Sequence, residues 1–491
     1  MGLGALTDVI APERVIGLPV GEVSALAYDS RKVAPGTLFF AVPGVHVDGH
    51  EYAAAAVSAG AIGLVVEREL PEGAVPQLVV DGTRRALADA ADAWFGRPSE
   101  QLTVIGVTGT DGKSTVTALT AEVLRACGRR PGQIGTVFIG VGKVVQPNEE
   151  RNTTPEALEL QGLLARMVAE SNDSVVMEAT SHGLALDRTR NCRFDIGVVT
   201  TVTSEHLEFH GTVEAYRAAK ALLVEQAPVA ILNADDSSFE HLRERARDRV
   251  ISYAIDTAAD LLASDLQADA TGTRFNLQAP SWAGTVRVVL PGRFNVSNAL
   301  ATLAVAEALG LDLKRAADAL RDTSGVPGRM QRVVAGQPFG VIVDYAHTED
   351  SLRKVLGMLR PLTAGRLIAV IGSAGERDPT KRGPMGRVAA ELADVVVVTD
   401  EDPRLEDPRT INEEIADGAR LVGGRDGETL WVIDDRRKAI GRASGLAREG
   451  DVVLLAGKGH EASMLYGADR RPWDEVGAAR DALGDAGWSD A

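Results

Sequence analysis

The chain has 491 residues, enough for about three domains at roughly 150 residues each. Apolar residues make up 45% and charged residues 25%, which excludes a disordered or collagen-like chain. Against 69 Asp and Glu stand 52 Lys and Arg, a formal charge of −17. Nonspecific nucleic-acid or anionic-membrane binding would have to overcome that field, so a small-molecule substrate is the better expectation. Cys127 and Cys192 alone make neither a disulfide framework nor a Cys-rich zinc site. The N-terminal stretch MGLGALTDVIAPER lacks a basic region followed by a long apolar one, and no run approaches the ~20 apolar residues of a membrane span. A cytoplasmic location is expected.

Residues 1–101 mix short apolar segments (GTLFFAVPG, AIGLVVE, QLVVD) with Ala-rich helical patterns, the last ended by Gly96 and Pro98. From Leu102 the pattern becomes strands alternating with helices: LTVIGV, a Gly-rich turn, the helical run KSTVTALTAEVLRACG, then SVVMEA, IGVVTTV and VAILN. Such alternation builds a parallel sheet covered by helices on both faces. Residues 262–290 read as β-rich, and NVSNALATLAVAEALG returns to helix. A break rich in Gly and Pro falls at 325–333, after which GVIVDYAHT, RLIAVIGSAG, DVVVVTDEDP, TLWVID and DVVLLAGKG resume the βα pattern. The expected fold class is therefore α/β, in three domains: residues 1–101, a central 102–330 with a parallel sheet, and a Rossmann-like 331–491.

The segment Gly106-Val-Thr-Gly-Thr-Asp-Gly-Lys-Ser-Thr115 lies between a predicted strand and a predicted helix. Small residues there let backbone N–H groups curl around phosphate oxygens, and the helix N-terminus adds favourable partial charge. Lys113 would reach the β- and γ-phosphates, and Ser114 would ligate Mg²⁺. The strict GxxxxGK[ST] pattern fails at one position, where Val107 replaces the first Gly. Without other information such a loop serves a kinase, a switch GTPase, an ATPase motor or an ATP-driven ligase equally well.

Further strings decide among these. GTDGKST, NTTPE (152–156), MEATSHGL (177–184), SEHLEFHG (204–211), YRAAKALL (216–223), FNVSNALA (294–301), PGRMQRV (327–333) and VDYAHTEDSL (343–352) follow one another in an order that resembles the Mur ligase family of peptidoglycan-precursor amide ligases. YDSRKVAPGTLFFAVPGVHVDGH near the N-terminus, with DPRLEDP and GKGHE near the C-terminus, is similar to its tripeptide-forming branch. The resemblance implies a three-domain enzyme with a UDP-MurNAc-binding N-terminal domain, a central ATP-binding domain and a C-terminal amino-acid-binding domain. It implies an ATP-dependent ligase acting on UDP-MurNAc-L-Ala-D-Glu and a diamino acid. An acyl phosphate would be the intermediate. Charge and composition lead to the expectation of no nucleic-acid partner and no membrane insertion, and a monomer is expected.

The resemblance also assigns residues. Thr108, Gly109, Thr110, Asp111, Gly112, Lys113, Ser114 and Thr115 match the ATP loop, Asn298 an adenine contact, Arg329 an α-phosphate contact and Asp344 a ribose contact. Two Mg²⁺ ions are expected at Ser114, Glu178, His206 and Lys220, with Lys220 carbamylated by CO₂ and Lys113, Glu178, His206 and Lys220 serving catalysis. Local sequence alone reads Lys220 as a solvated helix residue. His206 and His210, four apart, could share a helical face, but HLEFH is not the zinc pattern HExxH, and a structural pair is the alternative. Ser30, His46, Thr153, Thr154, Thr180 and Arg188 match contacts to the UDP-linked dipeptide. Thr180 replaces a common serine and keeps its hydroxyl, whereas Leu186 replaces a glutamine and loses a hydrogen-bonding group.

Arg377, Glu401, Asp402, Pro403, Arg404, Gly457 and Glu461 match the amino-acid site. Enzymes of the branch that add meso-diaminopimelate carry Asp-Asn-Pro-Arg where this chain has Glu401-Asp402-Pro403-Arg404. The guanidinium of Arg404 suits the distal carboxylate of diaminopimelate. Asp402 adds a negative charge, which favours the bare ammonium of L-lysine or L-ornithine unless Asp402 pairs with Arg404 or the distal amine. The expectation leans to meso-diaminopimelate and leaves the other two open.

Overall fold

The computed structural model describes residues 1–44, 47–71, 74–148, 152–203, 205–269, 272–323 and 325–488. They gather into two compact units. One holds Met1–Ser264 with Asn276–Thr285 and Ser297–Leu320; the other holds Asp265–Phe275, Val286–Val296 and Arg321–Ala491.

The first unit carries two sheets. In the N-terminal one, the strands Ala25–Ala27, Thr37–Phe40, Ala61–Val66 and Gln77–Val79 run parallel, and Arg14–Ile16 closes the edge antiparallel to Gln77–Val79. Thr37–Phe40 is buried at every position because both faces are covered. Leu38, Phe40, Val65 and Leu78 face the helices Leu3–Ile10 and Thr83–Trp94 through Leu3, Leu6, Ile10, Ala86, Leu87 and Ala90. Phe39, Leu64, Val66 and Val79 face the other way, onto Ala53 and Ala56 of the helix Ala53–Ser58. The strand period of two splits one apolar run between two cores.

The larger sheet sets Pro131–Ile134, Ser174–Glu178, Thr103–Thr108, Ile196–Val199, Val229–Asn233 and Arg249–Ala254 side by side, all parallel. Thr103–Thr108 comes first in the chain yet lies between Ser174–Glu178 and Ile196–Val199. The winding therefore reverses beside it, and a crevice opens at its carboxyl end. The helix Lys113–Ala126 follows directly and is buried along most of its length.

In the second unit the sheet order is Gln331–Arg332, Gly340–Asp344, Val452–Ala456, Leu367–Ile371, Val395–Val398 and Leu430–Val432. Only Gln331–Arg332 is antiparallel to its neighbour. The uninterrupted runs LIAVI and VVVV are buried throughout, as strands covered on both faces require. Asp407, Asp435 and Asp474 cap the helices Pro408–Arg420, Arg436–Leu446 and Glu475–Asp485 with their side chains. No helix among the described residues is long and apolar enough to cross a membrane.

Candidate active site

The turn after Thr103–Thr108 closes on its neighbours through its own backbone groups. Thr110 N donates to Thr201 O at 2.5 Å, and Thr200 Oγ1 donates to Thr108 O at 3.1 Å and Asp111 O at 2.5 Å. Gly109 has φ +147°, and a Cβ there would lie 1.9 Å from Thr200 Oγ1. Gly112 caps the helix at φ +87°, where a Cβ would come within 2.5 Å of Asn298 Oδ1. Both places therefore demand glycine. Asn298, expected at the adenine, lies against this loop beside Gly112, whereas Thr115 packs inward and Asp111 faces solvent. Lys113 folds back over the loop, its Nζ donating to Gly109 O at 2.9 Å and Thr110 O at 2.8 Å.

Ser114 Oγ donates to Glu178 Oε2 at 3.1 Å, joining the loop's helix to the end of the neighbouring strand. Thr136, unremarkable in sequence, gives its N–H to Glu178 Oε1 at 2.8 Å and its hydroxyl to Oε2 at 3.1 Å. Thr153 Oγ1 lies 2.9 Å from Thr136 Oγ1. Thr154 Oγ1 donates to Glu178 O at 2.9 Å and sits 3.0 Å from Thr180 Oγ1, which caps the helix Ser181–Ala185. Arg188 donates to Thr154 O at 3.1 Å and pairs with Glu156 at 2.8 Å, while its buried Nε lacks a partner. Thr153, Thr154, Thr180 and Arg188, which the sequence separates by up to 35 positions, thus form one patch around Glu178.

Lys220 departs from the local reading of a solvated residue. It is 1% exposed on the helix Val213–Gln226, and its Nζ lies 2.7 Å from Gly109 O and 4.4 Å from the Tyr216 ring centre. Burial first, then the nearby charge of Lys113, pushes its pKa well down and favours the neutral amine. Tyr216 OH lies 3.0 Å from Thr110 Oγ1, tying this helix to the phosphate loop.

His206 sits in the left-handed region at φ +55°, just before the short helix Leu207–His210. It lies 3.4 Å from Glu208 and 3.8 Å from Glu205. The His182 ring, 4.8 Å from that of His206 and 5.5 Å from that of His210, links the three imidazoles. Burial and its two histidine neighbours lower the His182 pKa to about 4. The described contacts of His206 are with these groups rather than with Ser114 or Glu178. Among the described residues, no group of three or more His, Cys, Asp or Glu side chains could hold a metal ion.

In the second unit the strand ends converge. Asp344 is buried and accepts from Met330 N at 2.8 Å and Ala346 N at 2.9 Å. Burial raises its pKa although the Arg329 charge opposes this. Arg329 stacks 4.6 Å from the Tyr345 ring centre and its Nε is buried without a partner. Glu401 is buried, its Oε2 is unpartnered, and a Cβ on Gly457 (φ +105°) would lie 3.2 Å from that oxygen. Burial raises the Glu401 pKa against the charges of Lys458 and Lys381. Asp402 pairs with Lys458 Nζ at 2.9 Å and accepts Leu465 N at 3.0 Å. The same Nζ reaches Glu461 at 2.6 Å. Arg404, at φ +56° after Pro403, keeps a buried Nε with no partner.

The remaining expected residues scatter. Ser30 begins a short 3₁₀ turn in the N-terminal sheet region, Arg377 is exposed, and His46 lies outside the described residues. Sequence reading passed over Lys458 and Glu156, although both lie inside quoted strings, GKGHE and NTTPE. The anticipated partners of Asp402 were Arg404 or a substrate amine, and the protein partner is instead Lys458. Thr136 carried no sequence signal, because a backbone N–H donor is invisible in composition.

Residues 107–306 match the Mur ligase middle domain, 328–459 the Mur ligase glutamate ligase domain and 22–95 the Mur ligase family catalytic domain. The chain is 46% identical over 486 residues to a UDP-N-acetylmuramyl-tripeptide synthetase of Roseiflexus sp. (strain RS-1), covering 95% of this chain and 96% of the relative. It is 42% identical over 475 residues to the UDP-N-acetylmuramoyl-L-alanyl-D-glutamate--2,6-diaminopimelate ligase of Geobacillus kaustophilus (strain HTA426), covering 95% and 96%. A solved UDP-N-acetylmuramoyl-L-alanyl-D-glutamate--2,6-diaminopimelate ligase superposes with a TM-score of 0.71 at 31% identity, covering all of both chains.

Proposed function

The chain belongs to the Mur ligase family, and on that footing we propose that it is the ATP-dependent ligase joining a diamino acid to the D-Glu carboxylate of UDP-MurNAc-L-Ala-D-Glu in peptidoglycan-precursor synthesis. The observation that carries the reading is the junction at the reversed strand, where Lys113, the Ser114–Glu178 pair and buried Lys220 meet one Gly-rich turn. A carboxylate and an amine do not condense in water. ATP must first make the carboxylate an acyl phosphate, which the amine attacks with loss of phosphate. The site therefore has to hold two anions together, and Lys113 with the loop's N–H groups supplies the positive potential.

The residues present fit Mg²⁺. Ser114 and Glu178 offer one hydroxyl and one carboxylate, the sparse protein share this ion takes when phosphate oxygens complete its shell. Bound there, Mg²⁺ would neutralise phosphate charge. A second ion is assigned to the side of His206 and Lys220. The neutral amine of Lys220 is the form that adds CO₂, giving an N-carboxylate and one proton, and the remaining N–H still has Gly109 O to meet. The hydroxyls of Thr153, Thr154 and Thr180 and the guanidinium of Arg188 are assigned to the dipeptide, with Ser30 and His46 on the UDP-sugar. Asn298, Arg329 and Asp344 are assigned to the nucleotide. A monomer acting in the cytoplasm, where ATP and UDP-linked precursors are made, completes the proposal, with the domains bounded near 101 and 330.

We read meso-diaminopimelate as the added amino acid, since Arg404 keeps a buried unpartnered Nε that a distal carboxylate would satisfy. L-Lysine or L-ornithine, the reading that Asp402 favours, would leave that guanidinium unmet. Labelling the D-Glu side-chain carboxylate with ¹⁸O tests the chemistry. Acyl-phosphate formation carries one labelled oxygen into the released phosphate; phosphate without label would refute that route.

A further inference from the structure

Lys458 is fully buried, and its single ammonium serves two carboxylates, Asp402 at 2.9 Å and Glu461 at 2.6 Å. The three side chains come from two strand ends. Asp402 follows Val395–Val398, while Lys458 and Glu461 follow Val452–Ala456. Asp402 is held further by Leu465 N, in the strand Ser463–Tyr466, which pairs antiparallel with Asp469–Pro472. Glu461 also accepts from Tyr345 OH at 3.4 Å. With an asparagine at 402, the lysine and Glu461 would cancel; with aspartate, the trio carries one net negative charge. Close by in the chain, Arg404 carries a guanidinium with an unsatisfied donor.

We propose that Lys458 is the specificity-determining residue of the amino-acid site, setting its charge so that an ammonium and a carboxylate on the same distal carbon are recognised together. The inference rests on the ligase reading above. Lys458 absorbs one of the two negative charges of Asp402 and Glu461, and the other remains for the distal ammonium. Arg404 takes the distal carboxylate. An amino acid ending in an ammonium alone satisfies only half of this arrangement. Without Lys458, two adjacent carboxylates would attract any ammonium and repel a distal carboxylate. Asp402 and Lys458 are thus a compensated pair, and the role of each depends on the other.

The test measures kcat/KM for meso-diaminopimelate and for L-lysine with UDP-MurNAc-L-Ala-D-Glu and ATP, in the unaltered chain and three variants. Lys458→Met lowers the diaminopimelate-to-lysine ratio by roughly tenfold or more. Lys458→Arg keeps the charge and stays near the original ratio. Lys458→Met combined with Asp402→Asn restores one net negative charge and returns the ratio to within about threefold of the original. A double variant whose ratio stays as low as that of Lys458→Met overturns the proposal, because the net charge shared by Asp402, Lys458 and Glu461 would then not govern the choice between the two amino acids. If Lys458→Met does not fold, Asp402→Asn alone decides. It raises the ratio by about threefold or more by withdrawing a negative charge, and an unchanged ratio overturns the proposal. Turnover with ratios indifferent to these changes defeats this inference alone. No turnover with either amino acid by the unaltered chain defeats the ligase reading with it.

Discussion

An ammonium removed from water and set near a second ammonium is driven towards its neutral form. Lys220 meets both conditions, buried at Gly109 O with the charge of Lys113 nearby. A neutral amine is nucleophilic, and that is the property the proposed carbamate requires. Arginine, which stays protonated, cannot take this form. Lys220→Arg is therefore expected to lower turnover by about a hundredfold or more, the scale on which losing one preorganised electrostatic group acts. In ¹³CO₂-equilibrated protein, a carbamate carbon signal is expected in the unaltered chain and absent from the variant. A variant of full activity, or an unaltered chain without that signal at any pH where it turns over, would contradict the assignment. Nothing in the spacing of EAYRAAKALL distinguishes this lysine from a solvated one, since the helix period does not reveal which face the phosphate loop covers.

At the scale of elements, the phosphate turn is held by contacts that leave no room for a side chain. Gly109→Ala combines a φ of +147° with a Cβ 1.9 Å from Thr200 Oγ1, so the turn must open for the chain to accommodate it. The expected result is ATP affinity weakened by about tenfold or more, read by calorimetry, with far-ultraviolet circular dichroism unchanged. Unchanged ATP affinity would show that the loop's described conformation is not the one that binds. The strand–Gly turn–helix pattern made this element legible from LTVIGVTGTDGKST, because strand and helix periods flank the glycines. The continuous apolar runs of the second unit were legible for the same reason. Register and long-range partners were not. The Ser114–Glu178 contact spans 64 positions and the Lys458–Asp402 pair 56, and each depends on which strands become neighbours. A reading in chain order could name Asp402 as a conflict but could not see the lysine that compensates it.

For the whole molecule, a net charge of −17 coexists with a proposed substrate set made almost entirely of anions. The resolution is local. Lys113 lies on the phosphate loop and Arg188 beside Thr154 in the first unit, and in the second Lys458 pairs with Asp402 and Glu461 while Arg329 stacks on Tyr345. Surface ion pairs such as Arg243–Glu240 and Arg420–Asp417 cancel within themselves and contribute little. The central claim is that this chain forms an amide between UDP-MurNAc-L-Ala-D-Glu and meso-diaminopimelate. It is tested most directly by ATP-dependent phosphate release with UDP-MurNAc-L-Ala-D-Glu and equal concentrations of meso-diaminopimelate, L-lysine or L-ornithine, with product masses determined. The account predicts strong preference for meso-diaminopimelate and a product heavier by that residue. Preference for lysine or ornithine would contradict the reading of Arg404 and Lys458, and no turnover with any of the three would contradict the ligase itself.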